Sequence, residues 1–462
     1  MDKEGKLFDL VVAEEKLDKN FARIRTATTS IAARAMLEDA FTSFEDPDGN
    51  FKEQFQTTGF DNRFFELYLH AYLSRSGFAI DRSYPNPDFL VTRDGVTACI
   101  EATTVNPSTS GIIAKYGRKV KDLTQAELLE YTREELPLRF GSALYSKLKK
   151  EYWKKPQCID RPFVIAIQAF HDERSLHFSD TALLEYAYAT RQTAGWSKGG
   201  DLILNNAKVE THTLGEKSVS SGFFTLPGSE NVSALVFSNS GTHAKFSRMG
   251  YQSGFGNDVL KIKRVGRVYN EHPDAMDATL FEYDMDDPNV VEPWGQGLSV
   301  LHNSNALVPL PHGYFPDAQE HDFLAGNVLT TPGGWHPFNS DTIVVDVGEL
   351  KQQKITSFLL GHGPRAVAAI PRDYFWSFDP IADFEGEEDG WYADEFEAFL
   401  GLVVKRASDW EALVFARDYG FRFFRIARAE GFGSRLEVVD AVQHKMLRLQ
   451  ASPRRLFDEP VG

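Results

Sequence analysis

Residues 60–78, FDNRFFELYLHAYLSRSGF, and residues 87–105, PDFLVTRDGVTACIEATTV, decide the predicted fold of this chain. In the first stretch Phe65, Leu69 and Leu73 recur at helical spacing, which predicts an amphipathic helix with a buried face. The second stretch holds two apolar runs joined by an Arg-Asp-Gly turn, a pattern typical of a β-hairpin. A helix followed by a hairpin is therefore the expected centre of the fold.

The neighbouring stretches extend this unit. Asp61 or Asn62 is the expected N-cap of the helix, and Gly77 is the expected stop. A short strand, a second helix and a buried strand are expected at residues 79–84, 138–153 and 161–170. The order of helix, three strands, helix and strand predicts an α/β fold with a mixed sheet flanked by helices.

The chain has 462 residues, more than a single hydrophobic core usually serves, so two or three domains are expected. The patterns of apolar and turn-forming residues along the chain predict four regions. They are an N-terminal helical segment (1–50), the α/β domain (51–199), a strand-rich region (200–345) and a C-terminal α/β region (346–462). Within the last region, residues 392–420 are expected to form a helix.

The net charge of -16 argues against a protein that coats nucleic acid by electrostatics alone. A local basic cluster is nevertheless present between Arg139 and Arg161, with seven basic residues against two acidic ones. Arg139, Lys150 and Lys154 of this cluster are the candidate nucleic-acid contacts. A solvated surface is the alternative interpretation of the same run.

The chain has two cysteines, Cys99 and Cys158, and neither lies in a zinc-ligand spacing. The charged N-terminus lacks a signal-peptide pattern, and no later segment approaches the roughly 18 uncharged apolar residues of a membrane span. A reducing, cytoplasmic setting is therefore expected.

Three acidic residues are expected to meet at one point. Side chains alternate along a strand, so Glu101 and Thr103 share a face. Asp88 is expected to be the first residue of the preceding strand. Glu66 lies at the margin of the apolar face of its helix and can reach the rim of the sheet. Hard divalent cations prefer oxygen ligands, and phosphodiester hydrolysis uses them to activate water and stabilise charge. Glu66, Asp88 and Glu101 are therefore the candidate ligands of Mg²⁺ or Mn²⁺.

These residues resemble the PD-(D/E)XK superfamily of restriction-endonuclease-like nucleases. Members of that superfamily carry Glu on a helix, then Pro-Asp and Glu-x-Lys on a hairpin, followed by a helix and another strand. The resemblance runs through FFELYLHAYLSRSGF, PDF, IEAT and RPFVIAIQAF, about a quarter of the chain. It implies a restriction-endonuclease-like fold in which Glu66, Asp88 and Glu101 are catalytic.

The lysine of the family pattern is missing, because Thr103 stands two residues after Glu101. An ammonium near the attacking water stabilises developing negative charge, so this departure bears on activity. Lys147 lies at the edge of the apolar stripe of the second predicted helix and is the candidate substitute. Some members of the superfamily similarly carry the lysine on a neighbouring helix.

The resemblance implies an Mg²⁺-dependent endonuclease, with DNA favoured over RNA and a role in prokaryotic defence or DNA processing. The alternative hypothesis is a non-catalytic module that binds nucleic acid or protein and keeps a degenerate nuclease fold. Cutting both strands takes two active sites, which a homodimer or a partner protein would provide, although no coiled-coil pattern supports either. No membrane partner is expected.

Two further groups of residues have a chemical and a plain interpretation. Four histidines in a Pro- and Gly-rich span either form a second metal site or base-reading pocket or are ordinary loop residues, and their spacings, which match no zinc pattern, favour the second interpretation. Basic and aromatic residues between 246 and 267 form either a surface that stacks bases and contacts phosphates or a plain basic β-surface. The first group is His302, His312, His321 and His336, and the second is Arg248, Lys261, Lys263, Arg264 and Arg267 with Phe246, Tyr251 and Phe255.

Overall fold

The computed structural model divides into two compact units, one of residues 1–257 and 262–342 and the other of residues 258–261 and 343–462. Up to residue 346 the structure describes residues 6–105, 123–170, 180–196, 202–268 and 278–346. Toward the C-terminus it describes residues 382–383, 389–393, 399–405, 410–417, 423–434, 436–439 and 441–442.

An eight-stranded mixed sheet forms the body of the first unit, in the order β1-β2-β3-β4-β9-β12-β13-β14. Strands β3, β4 and β9 are parallel neighbours, as are β12 and β13, and the remaining pairs in this sheet are antiparallel. The strands are β1 (Ala79–Asp81), β2 (Phe89–Arg93), β3 (Val96–Val105), β4 (Phe163–Ala169), β9 (Ala234–Ser238), β12 (Leu298–His302), β13 (Gln319–Leu324) and β14 (Asn327–Thr331).

Helices cover both faces of this sheet. They are α1 (Lys19–Thr26), α2 (Ile31–Thr42), α3 (Phe51–Gln56), α4 (Phe60–Arg75), α5 (Gln125–Glu130), α6 (Leu136–Leu148), α7 (Thr181–Tyr188) and α8 (His243–Gln252), with a π-helical turn at Tyr131–Glu135. The expected mixed α/β architecture is confirmed. Among the described residues, none of the helices has both the length and the apolar composition needed to cross a membrane.

The alternation of side chains along β3 separates two hydrophobic cores. Ile100 and Ala102 belong to the core shared with α1 to α4 and α8, whereas Cys99 belongs to the core shared with α6 and α7. Because side chains alternate, Glu101 lies on the same face as Cys99, which is the α6 side of the sheet. Glu66 belongs to α4, which packs on the opposite face of the sheet.

The β2–β3 hairpin has the predicted turn. Asp94 and Gly95 link the two strands with φ of +50° and +78°, the left-handed backbone that a two-residue type I′ turn requires. Glycine adopts this conformation at no steric cost, and Asp is among the few other residues that tolerate it. The turn fixes the register, which pairs Phe89 with Ile100 and brings Asp88 opposite Glu101.

The helix α4 begins earlier than expected. Its N-cap is Gly59 and its first residue is Phe60, so Asp61 and Asn62 lie inside the first turn instead of capping it. Gly77 follows the helix with a φ of +81°, in the left-handed region typical of a helix stop. The helix is buried on nearly all sides, since it packs between the sheet and the N-terminal helices.

Two of the expected domain boundaries do not separate compact parts. Phe21, Met36 and Phe51 from the first helices pack in the same core as Phe64 of α4, so residues 1–50 are not a separate segment. The main sheet also continues beyond residue 199, because β9 pairs in parallel with β4.

Residues 200–345 are rich in strands, because they hold β9 and β12 to β14 of the main sheet and also strands outside that sheet. Up to residue 346, the strands outside the main sheet form two hairpins, β5–β6 and β7–β8, and a three-stranded sheet in the order β11-β10-β15. Their bounds are β5 (Thr190–Trp196), β6 (Leu202–Lys208), β7 (Thr211–Leu214), β8 (Lys217–Ser220), β10 (Leu260–Val268), β11 (Thr279–Asp284) and β15 (Pro337–Asp346).

The described residues of the second unit include an antiparallel sheet of five strands, β16-β17-β18-β19-β20. They are β16 (Ala382–Asp383), β17 (Asp389–Ala393), β18 (Phe399–Lys405), β19 (Trp410–Arg417) and β20 (Phe423–Phe432). The helix expected over residues 392–420 is therefore wrong. The runs FLGLVV and WEALVFA pair with each other as β18 and β19, and β-branched residues suit a pleated sheet better than a helix.

Candidate active site at the β2–β3 hairpin

Asp88 and Glu101 face each other where β2 begins. The residue pair next to them in the register is Phe89 and Ile100, and the main-chain N–H of Ala102 donates to Oδ2 of Asp88 at 2.7 Å. The carboxylate of Asp88 thus takes the place of a main-chain acceptor at the end of the ladder. This contact holds Asp88 beside the strand that carries Glu101.

Lys147 reaches Glu101 from the neighbouring helix. Its Nζ donates to Oε1 of Glu101 at 2.7 Å, and both side chains are largely buried. The helix α6 packs on the face of β3 that Glu101 occupies, and Lys147 lies in its last turn. Thr103 follows on the same face and is partly buried. The expected approach of Lys147 to Glu101 is therefore present, although Lys147 belongs to a helix that ends at Leu148 and not near residue 153.

Glu66 is held by two arginines. Both of its carboxylate oxygens accept from Nη1 of Arg63, at 2.9 and 2.8 Å, and Nη2 of Arg82 lies 3.7 Å from Oε2. The guanidinium of Arg82 lies over the rings of Phe44 and Phe89, at 4.0 and 4.6 Å from their centroids. The guanidinium groups of Arg63 and Arg82 balance the charge of Glu66. From the sequence, Glu66 was expected only as a ligand of a metal ion.

Arg82 also carries an unsatisfied group. It is 7% exposed, and its buried Nη1 has no hydrogen-bond partner, although Nε donates to the carbonyl oxygen of Glu45 at 2.9 Å. Arg82 was not predicted from the sequence, because it follows a three-residue strand and matches no position of the family pattern.

The electrostatics of the three carboxylates are linked through Asp88. The pKa of Glu66 is raised to about 7, because burial and the charge of Asp88 together outweigh the opposing effects of Arg63 and Arg82. The pKa of Glu101 is likewise raised to about 7, because burial and the charge of Asp88 together outweigh the opposing effect of Lys147. Burial lowers the pKa of Lys147, but Glu101 more than compensates, so its pKa lies above the ordinary value. Burial and the charge of Asp88 thus both disfavour the ionised forms of Glu66 and Glu101.

This arrangement fits a hard divalent cation by its chemistry. Carboxylate oxygens that are crowded and buried are the ligands that Mg²⁺ and Mn²⁺ prefer. The three side chains do not, however, form a tight cage. Among the residues that the structure describes, the group whose ligand atoms all lie within 4.8 Å of one another is His302, His312 and Glu320. Asp88 therefore interacts with both Glu66 and Glu101 without the close three-way convergence that the sequence predicted.

The candidate nucleic-acid contacts differ in their surroundings. Arg139 forms an ion pair with Glu135, which is buried in the π-helical turn, so its guanidinium already has an anionic partner within the fold. Lys154 is exposed and pairs with exposed Glu151 at 2.7 Å. Lys150 is exposed beyond the end of α6, and its charge acts on the pKa of Glu101. Lys150 is accordingly the basic residue of this set that interacts with the carboxylate site.

Most of the basic and aromatic residues expected to form a surface between residues 246 and 267 are buried, although Arg267 is exposed. Arg248 and Arg264 are buried and pair with buried Glu292, at 2.6 and 3.4 Å. Phe246 and Tyr251 are buried as well. Arg248 reaches Glu292 from α8, which packs against α2, whereas Arg264 reaches it from β10. Lys245 joins the same cluster, and nothing in the sequence pattern had indicated it.

The histidines are not ordinary loop residues throughout. His302 ends β12 and His321 lies within β13, where its Nε2 pairs with Asp180 at 2.8 Å. His302 and His312 come together with Glu320, which sequence spacing did not predict.

Comparison with protein-family models, with curated proteins and with solved structures finds no match for this chain.

Proposed function

We propose that this protein hydrolyses phosphodiester bonds with Mg²⁺ or Mn²⁺ at Asp88, Glu101 and Glu66, with Lys147 as the nearby cation. The observation that carries the proposal is the 2.7 Å contact from Nζ of Lys147 to Oε1 of Glu101. It supplies the ammonium that Thr103 lacks, from a neighbouring element and on the same face of the sheet. An ion pair that only stabilised the fold would not require a second carboxylate, Asp88, opposite Glu101.

Each side chain then has a defined task. Asp88 and Glu101 offer oxygen ligands from two adjacent strands, and a bound cation would lower the pKa of a water and stabilise charge on the phosphate oxygens. The ammonium of Lys147 stabilises the negative charge that develops on the attacked phosphate. Glu66 can add an oxygen only by loosening its contact with Arg63.

DNA is the proposed substrate, cleaved by an endonuclease in defence or DNA processing. The resemblance to restriction-endonuclease-like nucleases supports this class, and exposed Lys150 beside the site supports an anionic substrate. The net charge of -16 favours a confined contact surface over a broad one.

A second candidate function rests on the arginines around Glu66. Because Arg63 engages both oxygens of Glu66, the side chain is already satisfied without a metal. With Thr103 in place of the lysine, this favours a module that keeps the nuclease fold and binds nucleic acid or protein without cleaving it.

Cleavage by matched variants tests the proposal. Single- and double-stranded DNA and RNA are incubated with wild type, Asp88→Asn and Glu101→Gln in Mg²⁺, in Mn²⁺ and in chelator. Asp94→Asn is the control, because it makes the same chemical change in the turn of the same hairpin, and Asn tolerates a φ of +50°. We expect cleavage by wild type and the control in metal, and its loss in both site variants.

Equal cleavage by wild type and Glu101→Gln would contradict the proposal. Metal-indifferent binding without cleavage of any substrate would favour the non-catalytic module.

A further inference from the structure

We propose that His302, His312 and Glu320 form a second metal site, one that takes a first-row transition ion with a preference for imidazole, such as Zn²⁺. Their ligand atoms all lie within 4.8 Å of one another. Two imidazole nitrogens and a carboxylate oxygen are a donor set used by catalytic zinc sites and by non-haem iron sites. This site does not depend on the carboxylates of the β2–β3 hairpin.

The fold brings the three side chains together from distant parts of the sequence. The parallel strands β12 and β13 pair Val300 with Glu320, so His302 at the end of β12 lies near Glu320. His312 lies in the connection between those strands, at residues 303–318, and returns to the sheet there. The ring centroids of His302 and His312 are 4.2 Å apart and nearly parallel.

His302 provides an independent sign of a missing ligand. It is 6% exposed, and its buried Nε2 has no hydrogen-bond partner. That atom lies 3.6 Å from Oε1 of Glu320. A buried polar nitrogen without a partner costs free energy, which a metal bound to its lone pair would offset. His321 differs, because its ring contacts Asp180 and Thr330.

The surrounding groups orient the proposed ligands. Nε2 of His312 contacts both oxygens of Asp322, at 3.1 and 2.9 Å, so in the neutral ring Nε2 carries the proton and Nδ1 the lone pair. A carboxylate behind a metal-binding histidine is a recurrent feature of such sites. The main-chain N–H of Gly313 donates to Oε1 of Glu320 at 2.8 Å and fixes that side chain. Asp322 and Gly313 are therefore positioning groups.

The site is open on one side. The side chain of His312 is 60% exposed, whereas those of His302 and Glu320 are buried. Three protein ligands leave at least one position of a tetrahedral ion for water or a small anion. A closed structural site would use a fourth protein ligand, so the geometry favours a reactive or exchangeable ion.

The test is the stoichiometry and spectrum of metal binding by the full chain. Protein freed of metal by chelator is titrated with Zn²⁺ by calorimetry and with Co²⁺ by visible absorption. The variants are His312→Ala, which removes an exposed side chain, and Glu320→Gln, which keeps the shape of the buried one. His336→Ala is the matched control, since this half-buried histidine lies outside the cluster.

We expect one Zn²⁺ or Co²⁺ per chain in wild type and His336→Ala, with a Co²⁺ spectrum that reports nitrogen ligands. Both cluster variants should bind at least about tenfold more weakly. Glu101→Gln should bind Zn²⁺ as wild type does, which keeps this result separate from the test of nuclease activity. Absence of binding in wild type, or wild-type affinity in both cluster variants, would overturn the proposal.

Discussion

The ionised form of Glu101 destabilises the metal-free protein, so Glu101→Gln should raise the free energy of unfolding at alkaline pH. The pKa of Glu101 is raised from 4.5 to about 7 by burial and by Asp88, despite Lys147. A raised carboxyl pKa contributes stability that is present below pH 4.5 and lost as pH rises through about 7. Above pH 7, a shift of this size corresponds to a loss of about 3 kcal/mol in the free energy of unfolding.

The glutamine variant does not titrate at this position, so the difference from wild type isolates Glu101. Glu66 titrates over the same range in both proteins and cancels. Urea unfolding in chelator should give nearly equal stabilities at pH 4.5, and a variant more stable by up to about 3 kcal/mol at pH 8. Glu216→Gln, which changes an exposed side chain, is the control and should leave stability unchanged at both pH values. A Glu101→Gln variant that is less stable than wild type at pH 8 would refute the reasoning.

Three further predictions concern the metal, the lysine and the basic residues. Mg²⁺ should raise the thermal midpoint of unfolding of wild type more at pH 8 than at pH 6, because the carboxylates must be ionised to bind it. Asp88→Asn should lose this rise, and an equal rise in that variant would place the ion elsewhere. Lys147→Ala should lower the single-turnover cleavage rate by orders of magnitude at nearly unchanged substrate affinity. Thr103→Lys in the Lys147→Ala background should restore part of that rate. A wild-type rate in Lys147→Ala would exclude the proposed role of Lys147. Charge reversal at Lys150 and Lys154 should weaken binding and lower the slope of log affinity against log salt by roughly 0.7 to 0.9 per lost phosphate contact, and an unchanged slope would locate the binding surface elsewhere.

Local signals in the sequence predicted the centre of the fold. The Asp94-Gly95 turn selects its own backbone conformation, so the hairpin and the pairing of Asp88 with Glu101 follow from adjacent residues. Lys147 was predicted from helical periodicity, and its contact with Glu101 follows from the face on which α6 packs. Both inferences need only short-range patterns and the alternation of side chains.

The features that were missed depend on contacts between distant residues. Arg82 reaches Glu66 only because the short strand β1 returns beside α4, which no spacing in the chain reveals. His302 and Glu320 meet through the parallel pairing of β12 with β13, and the burial of Arg248 follows from the position of Glu292. The helix expected over residues 392–420 failed because an apolar run of that length fits two paired strands as well as one helix.

The location of a bound Mn²⁺ ion shows whether the carboxylates of the β2–β3 hairpin hold a metal. Crystals grown with Mn²⁺ and measured near its absorption edge give an anomalous map that identifies the ion without reference to side-chain positions. We predict a peak at the carboxylates of Asp88 and Glu101, with Lys147 close by. Anomalous density only at His302, His312 and Glu320, with Glu101 still paired to Lys147, would contradict this prediction.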